Sequence, residues 1–151
     1  MAAANFYARE RLRGAGEPAL RENDKAVPPE HLLQAAWQHQ RLLRDQLRTL
    51  DGRTVRVLHP GFKNHEAGPD FRGAVVQVGD DPSHSGDVEI DLHPGGWRGH
   101  GHDRNPNFKG VILHVTWDGD KPAAEGVPTL RLEGMLDAPL SELGAWLGAI
   151  R

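Results

Sequence analysis

The spacing of apolar residues changes along this chain, and each change marks an element. From Glu30 to Leu50, Leu32, Ala36, Leu43 and Leu47 recur at roughly helical spacing, with Leu33 and Trp37 widening the stripe. The pattern predicts one amphipathic helix that starts near Pro29. Asp51-Gly52 is a turn signal, after which Thr54 to Leu58 alternates as a strand and Pro60-Gly61 breaks it. A strand is predicted over Phe71 to Val78, a polar turn over Gly79 to Gly86, and a second strand over Asp87 to His93, the two strands forming an antiparallel hairpin. In that second strand Val88, Ile90 and Leu92 share one face, while Asp87, Glu89, Asp91 and His93 share the other. Pro94-Gly95-Gly96 ends it, and an irregular or short helical His-rich segment runs from Trp97 to Lys109. Val111 to Trp117 is a further, mostly apolar strand. Thr129 to Leu132 is a short strand, and Pro139 to Ile150 a short apolar helix.

These elements describe an α/β (α+β) domain, a helix followed by a mixed, mostly antiparallel sheet. The 151 residues suit one core, so residues 29–151 are expected to form a single domain behind a mobile N-terminal arm, residues 1–28. The chain has no cysteine, which excludes disulfides, thiolate zinc sites and a cysteine nucleophile. Any metal must sit on oxygen and imidazole. A net charge of -3 gives no global basic footprint, so a nucleic-acid partner would need a local groove. The N-terminus lacks the apolar core of a signal peptide, and no later run is long enough to span a bilayer, so a soluble, cytoplasmic protein with no membrane contact is expected. Oligomeric state is not readable.

Several separated motifs fit one pattern: the helix with Trp37, the loop from Pro60-Gly61 to Asn64, the Gly68-Pro69-Asp70-Phe71 turn, Gly86-Asp87-Val88-Glu89-Ile90, Trp97 with His100 and His102, and Val111-Ile112-Leu113-His114-Val115. Over about Leu32 to Asp120 they resemble an uncharacterised bacterial family known only as a domain of unknown function. Its members are typically much longer, which implies a short member or an N-terminal portion. The chain departs from that family in carrying Asp91 where His usually follows Val-Glu-Ile, and Gly96 where Asp usually precedes the Trp. A weaker resemblance is to the PD-(D/E)XK nuclease-like superfamily, which implies a restriction-endonuclease-like core. Asp70 matches its first acidic position and Glu89 its second, 19 positions on, but Asp91 stands where the Lys should be. His100 and His102 after Trp97 also resemble the His-rich end of the very-short-patch repair endonucleases, which implies that an acid and histidines can take the place of that Lys.

In phosphodiester cleavage, Asp70 and Glu89 would hold Mg2+ or Mn2+ through oxygen, and the cation would polarise the phosphate and activate water. Asp91 or His93 would add a ligand or a base. His100-Gly101-His102-Asp103 would offer imidazoles to Zn2+ or Mn2+, or a general acid. Against this stands a simpler reading, in which Asp70 starts a turn, Glu89, Asp91 and His93 are the wet face of a hairpin, and 100–103 is a solvated loop. Clustered like charges tip the balance towards function for Asp70 and Glu89. His114 interrupts an apolar strand, as a hydrogen-bonded core histidine or a second-tier ligand. Trp97 reads as core or lid, and Asn64 as a loop tie. Lys63, Arg72, Arg98, Arg104 and Lys109 lie near the site in sequence and are candidates for phosphate, Lys63 also as a replacement for the missing Lys. The leading expectation is a metal-dependent nuclease-like domain acting on nucleic acid, with Asp70, Glu89, Asp91, His100 and His102 as its site. The alternatives are a noncatalytic binding or assembly module on the same scaffold, and a small-molecule metal hydrolase.

Overall fold

Helix α1, Glu30–Gln38, begins where Pro29 holds an extended backbone and its carbonyl accepts from the Leu32 and Leu33 amides. These facts come from a computed structural model that describes residues 26–150, so most of the arm expected over residues 1–28 lies outside it. The helix stops well short of Leu50. Gln40 adopts a left-handed backbone (φ 53°), and its side-chain amide donates back to the Trp37 carbonyl at 2.7 Å. From there the chain runs as turns and isolated bridges: the Leu43 amide donates to Met135 O, and the Leu50 amide to Thr129 O. Leu43 and Leu47 are buried all the same. Their helical spacing is met by an irregular wrap around the sheet, which is why periodicity overran the helix.

Strand β1, Val55–His59, and the two-residue β2, Phe62–Lys63, lie one after the other along β3, Phe71–Val78. β3 pairs antiparallel with β4, His84–Asp91, as the expected hairpin. The hairpin is shifted from the prediction, because exposed His84 and Ser85 are already paired while Leu92 and His93 fall outside the strand. Backbone pairing needs no apolar residue, so a polar strand start leaves no hydrophobic signature. β5, Val111–Thr116, and β6, Thr129–Arg131, continue the sheet in parallel, giving six strands in the order β1-β3-β4-β5-β6 with β2 beside β3. The fold is thus α/β, a helix followed by a mixed sheet.

α1 covers one sheet face, where Leu33 and Trp37 join Phe71, Val88, Ile90, Leu113 and Val115 in the main core. Trp37 Nε1 donates to Pro60 O at 2.9 Å, which ties the helix to the break between β1 and β2. The last helix, α3, Leu140–Ile150, buries Leu143 and Leu147 against Leu32 and Ala35. The parallel crossover from β4 to β5 carries no long helix. It consists of the single turn α2, Gly96–Gly99, and two 3-10 turns, His102–Arg104 and Pro106–Phe108. Trp97 and Phe108 anchor it through a small cluster with Val111 and Ala124. No helix among the described residues is long and apolar enough to cross a membrane.

Candidate metal centre

Strand alternation turns Glu89 and Asp91 away from the α1 core, and the crossover folds over them. Their face is therefore dry: Glu89 is 5% exposed and Asp91 2%. This excludes the wet-hairpin reading for these two positions, since a buried carboxylate needs hydrogen bonds, a proton or a cation.

Asp70 enters from the turn before β3. Gly68 there has φ 121°, and a Cβ on it would meet the Arg72 guanidinium at 2.5 Å, so only glycine fits without displacement. Asn64 holds the turn, its side-chain amide donating to Pro69 O at 2.9 Å. The Asp70 carboxylate accepts from the Ile90 amide at 2.9 Å and from Gln34 Nε2 at 3.3 Å, while the Asp70 amide donates to Glu89 Oε1 at 3.1 Å. Burial, followed by the charges of Asp70 and Asp91, pushes Glu89 up to about 10. Burial raises Asp70 as well.

Asp91 is gripped at both oxygens. His100 Nδ1 lies 3.2 Å from Oδ1, and the fully buried His114 Nε2 lies 2.7 Å from Oδ2. His102 stacks on Phe108 with ring centroids 3.8 Å apart and planes 18° apart. Its Nε2 is 2.6 Å from Glu89 Oε2 but off the hydrogen-bond direction, so both of its ring nitrogens are buried without a hydrogen-bond partner. Burial pulls the pKa of His102 down, which leaves the ring neutral near pH 7 and its lone pair available. Asp91, His100 and His102 each offer one donor atom, and these atoms all lie within 4.8 Å of one another.

All five site residues expected from the sequence meet here, but the spacing redistributes their roles. The set suited to one shared ion is Asp91, His100 and His102, and the Asp70–Glu89 pair adjoins it through His102. Two oxygen-rich carboxyls would suit Mg2+, whereas a carboxylate with two imidazoles suits Mn2+ or Zn2+. His114 anchors Asp91, in the position of an outer partner that orients a ligand. Trp97 is buried, its ring 5.1 Å from that of His114 and 5.6 Å from that of His102, so it forms a wall of the site. His93 pairs instead with Asp118 at 2.7 Å on the surface, and Asp103 is exposed on its 3-10 turn. Lys63 is exposed on β2 opposite Phe71.

The sequence reading missed Glu30 and Gln34, one helical turn apart on α1. Gln34 donates to Asp70, and Glu30 lies near enough to Asp91 and Asp70 to feel their charges. Burial, then the charges of Asp91 and Asp70, raises the pKa of Glu30. Their only signal was an i, i+4 polar pair beside an apolar stripe. Gly96 also has a role that can be read from geometry, since a Cβ there would sit 2.8 Å from Asp91 Oδ1. Gly96→Ala is expected to push the Asp91 carboxylate off His100 and His114 and to lower the melting temperature, as read by thermal denaturation.

A family model described as a protein of unknown function, DUF2851, matches residues 30–147. No curated protein and no solved structure matches the chain.

Proposed function

Since the chain belongs to the DUF2851 family of proteins of unknown function, its activity has to be argued from the pocket, and we propose a metal-dependent phosphodiesterase of the nuclease type. The observation that carries this reading is the convergence of Asp70, Glu89, Asp91, His100 and His102 from three separate segments, with His102 Nδ1 buried without a hydrogen-bond partner and its Nε2 set 2.6 Å from Glu89 Oε2. Asp91, His100 and His102 are the residues that would hold the ion, with Mn2+ preferred. A cation there supplies positive charge to a phosphoryl oxygen and acidifies a nearby water. Burial and acidic neighbours hold Glu89 protonated near neutral pH, so its carboxyl, with Asp70 beside it, can deliver a proton to the leaving oxygen. His114 and Gly96 keep Asp91 in line. Beyond His102 an open cleft of about 720 Å3 is lined by Arg98, Arg104 and Lys109 as well as Asp103 and Glu125, the three cations able to meet a phosphate backbone.

The test is a calorimetric titration with Mn2+, Zn2+ and Mg2+, followed by cleavage assays on labelled single- and double-stranded DNA and RNA. One Mn2+ per chain and Mn2+-dependent cleavage are expected, with Glu89→Gln slowing cleavage by about a hundredfold or more. A chain that binds no divalent cation would sink the reading. A cation bound without cleavage of any of these substrates would favour the noncatalytic module, for which Asp91 in place of a Lys or His already argues.

A further inference from the structure

The crossover segment covers only half of the sheet face that carries the metal centre. Over β1, β2 and β3 the same face is open. Direct pairing of Phe62 with Arg72 puts both side chains on one face, and the 3.3 Å contact between the Arg72 guanidinium and Asp87 Oδ2 joins that row to the face of β4 that holds Glu89. Phe62 is 69% exposed on β2 and Leu58 52% on β1, whose other face, Val55 and Val57, joins the core. Phe62 is nonetheless held in place: its ring lies 5.0 Å from that of His59, and His59 Nδ1 accepts from the Gly61 amide at 2.9 Å. Arg56, exposed on β1 opposite Gln77, extends the strip away from the site.

An exposed, pre-oriented aromatic ring beside arginines fits a polyanion with free π-faces. It suits neither a duplex, whose bases are stacked internally, nor an acidic peptide, which has no use for the ring. We propose that this open strip is where a single-stranded nucleic acid lies, one base stacked on Phe62 and the backbone passing Arg56 and Arg72 towards the metal centre. The proposal rests on the phosphodiesterase reading and gives it a substrate form and a direction of approach. Phe62 is two strand spacings from β4, roughly 10 Å at about 4.8 Å each, so the stacked base sits only a few nucleotides from Glu89.

Fluorescence anisotropy with a labelled oligo(dT) of about 12 nucleotides, and with a duplex of equal length, tests this in EDTA so that no cleavage occurs. The single strand is expected to bind at least tenfold more tightly than the duplex. Phe62→Ala and Arg56→Glu should each weaken single-strand binding about tenfold, and Arg56→Glu should also flatten its salt dependence. Both sites are exposed, so unchanged melting temperatures will show that the fold is intact. Binding read in EDTA needs no cation, which keeps this test separate from the metal reading. Loss of cation binding with oligonucleotide binding intact would overturn the metal centre alone. Duplex bound as well as single strand, no oligonucleotide binding by the parent, or parental affinity in Phe62→Ala would each overturn the strip.

Discussion

Replacing Asp91 with alanine is expected to abolish Mn2+ binding and to destabilise the protein together, because one carboxylate serves both ends. Its Oδ1 faces His100 and the candidate ion position, and its Oδ2 accepts from His114 Nε2 at 2.7 Å in a fully buried contact. Truncation leaves that imidazole N–H without an acceptor, a loss of about 1–3 kcal/mol. Removing a negative charge near Asp70 and Glu89 offsets part of this, since Asp91 raises the pKa of both. Asp91→Asn separates the two effects. Its amide oxygen still accepts from His114, so stability should fall by about 1 kcal/mol or less, while a neutral ligand should cost Mn2+ affinity about a hundredfold. Calorimetry and thermal melts on the two variants read this directly, and parental Mn2+ affinity in Asp91→Asn would remove Asp91 from the ligand set.

The metal-free protein is expected to lose stability as pH rises above neutrality, the reverse of ordinary carboxylate behaviour. Glu89 is held up to about 10 by burial and by its acidic neighbours, and regains a carboxylate's ordinary value on unfolding. Between those two values the folded chain keeps a proton that the unfolded chain has released. Each added pH unit then favours unfolding by up to about 1.4 kcal/mol. For a domain of this size that is a fall of roughly 3–5 °C per unit. His102 acts with the opposite sign, because its folded pKa is lowered and its contribution is lost as pH falls. Its effect lies at and below its ordinary value of 6.5, so melts from pH 7.5 to 9.5 isolate Glu89. Glu89→Gln should flatten the slope across that range, and an equally steep slope in the variant would place the proton elsewhere.

Which residues gather in the pocket was more legible in the sequence than how they are spaced there. Alternation from Val88 to Leu92 correctly assigned the two faces of β4, and the Gly-Pro-Asp turn correctly brought Asp70 beside it. The motif pattern also pointed to the family. Burial of Glu89 and Asp91 could not be read, because it depends on the crossover folding back through Trp97 and Phe108, contacts that lie far along the chain. The end of α1 was hidden for a related reason, since Leu43 and Leu47 keep a helical period while packing from an irregular chain. Glu30 and Gln34 were invisible because polar residues at a helix start are ordinary until a strand places Asp70 and Asp91 near them.

The crossover built from three single turns has an energetic consequence. Asp70, Glu89 and Asp91 are fixed by a cooperative sheet, whereas His100 and His102 ride on a strap whose backbone hydrogen bonds close only local turns, held to the sheet by two aromatic anchors. Such a strap opens at lower free energy than the strands beneath it. On the proposed metal reading, cation capture and ordering of the strap would be a single linked event, so a measured affinity would equal the intrinsic coordination strength less the cost of closing residues 96–108. Substitutions at Trp97 or Phe108, which touch no ion, would tune the metal from a distance.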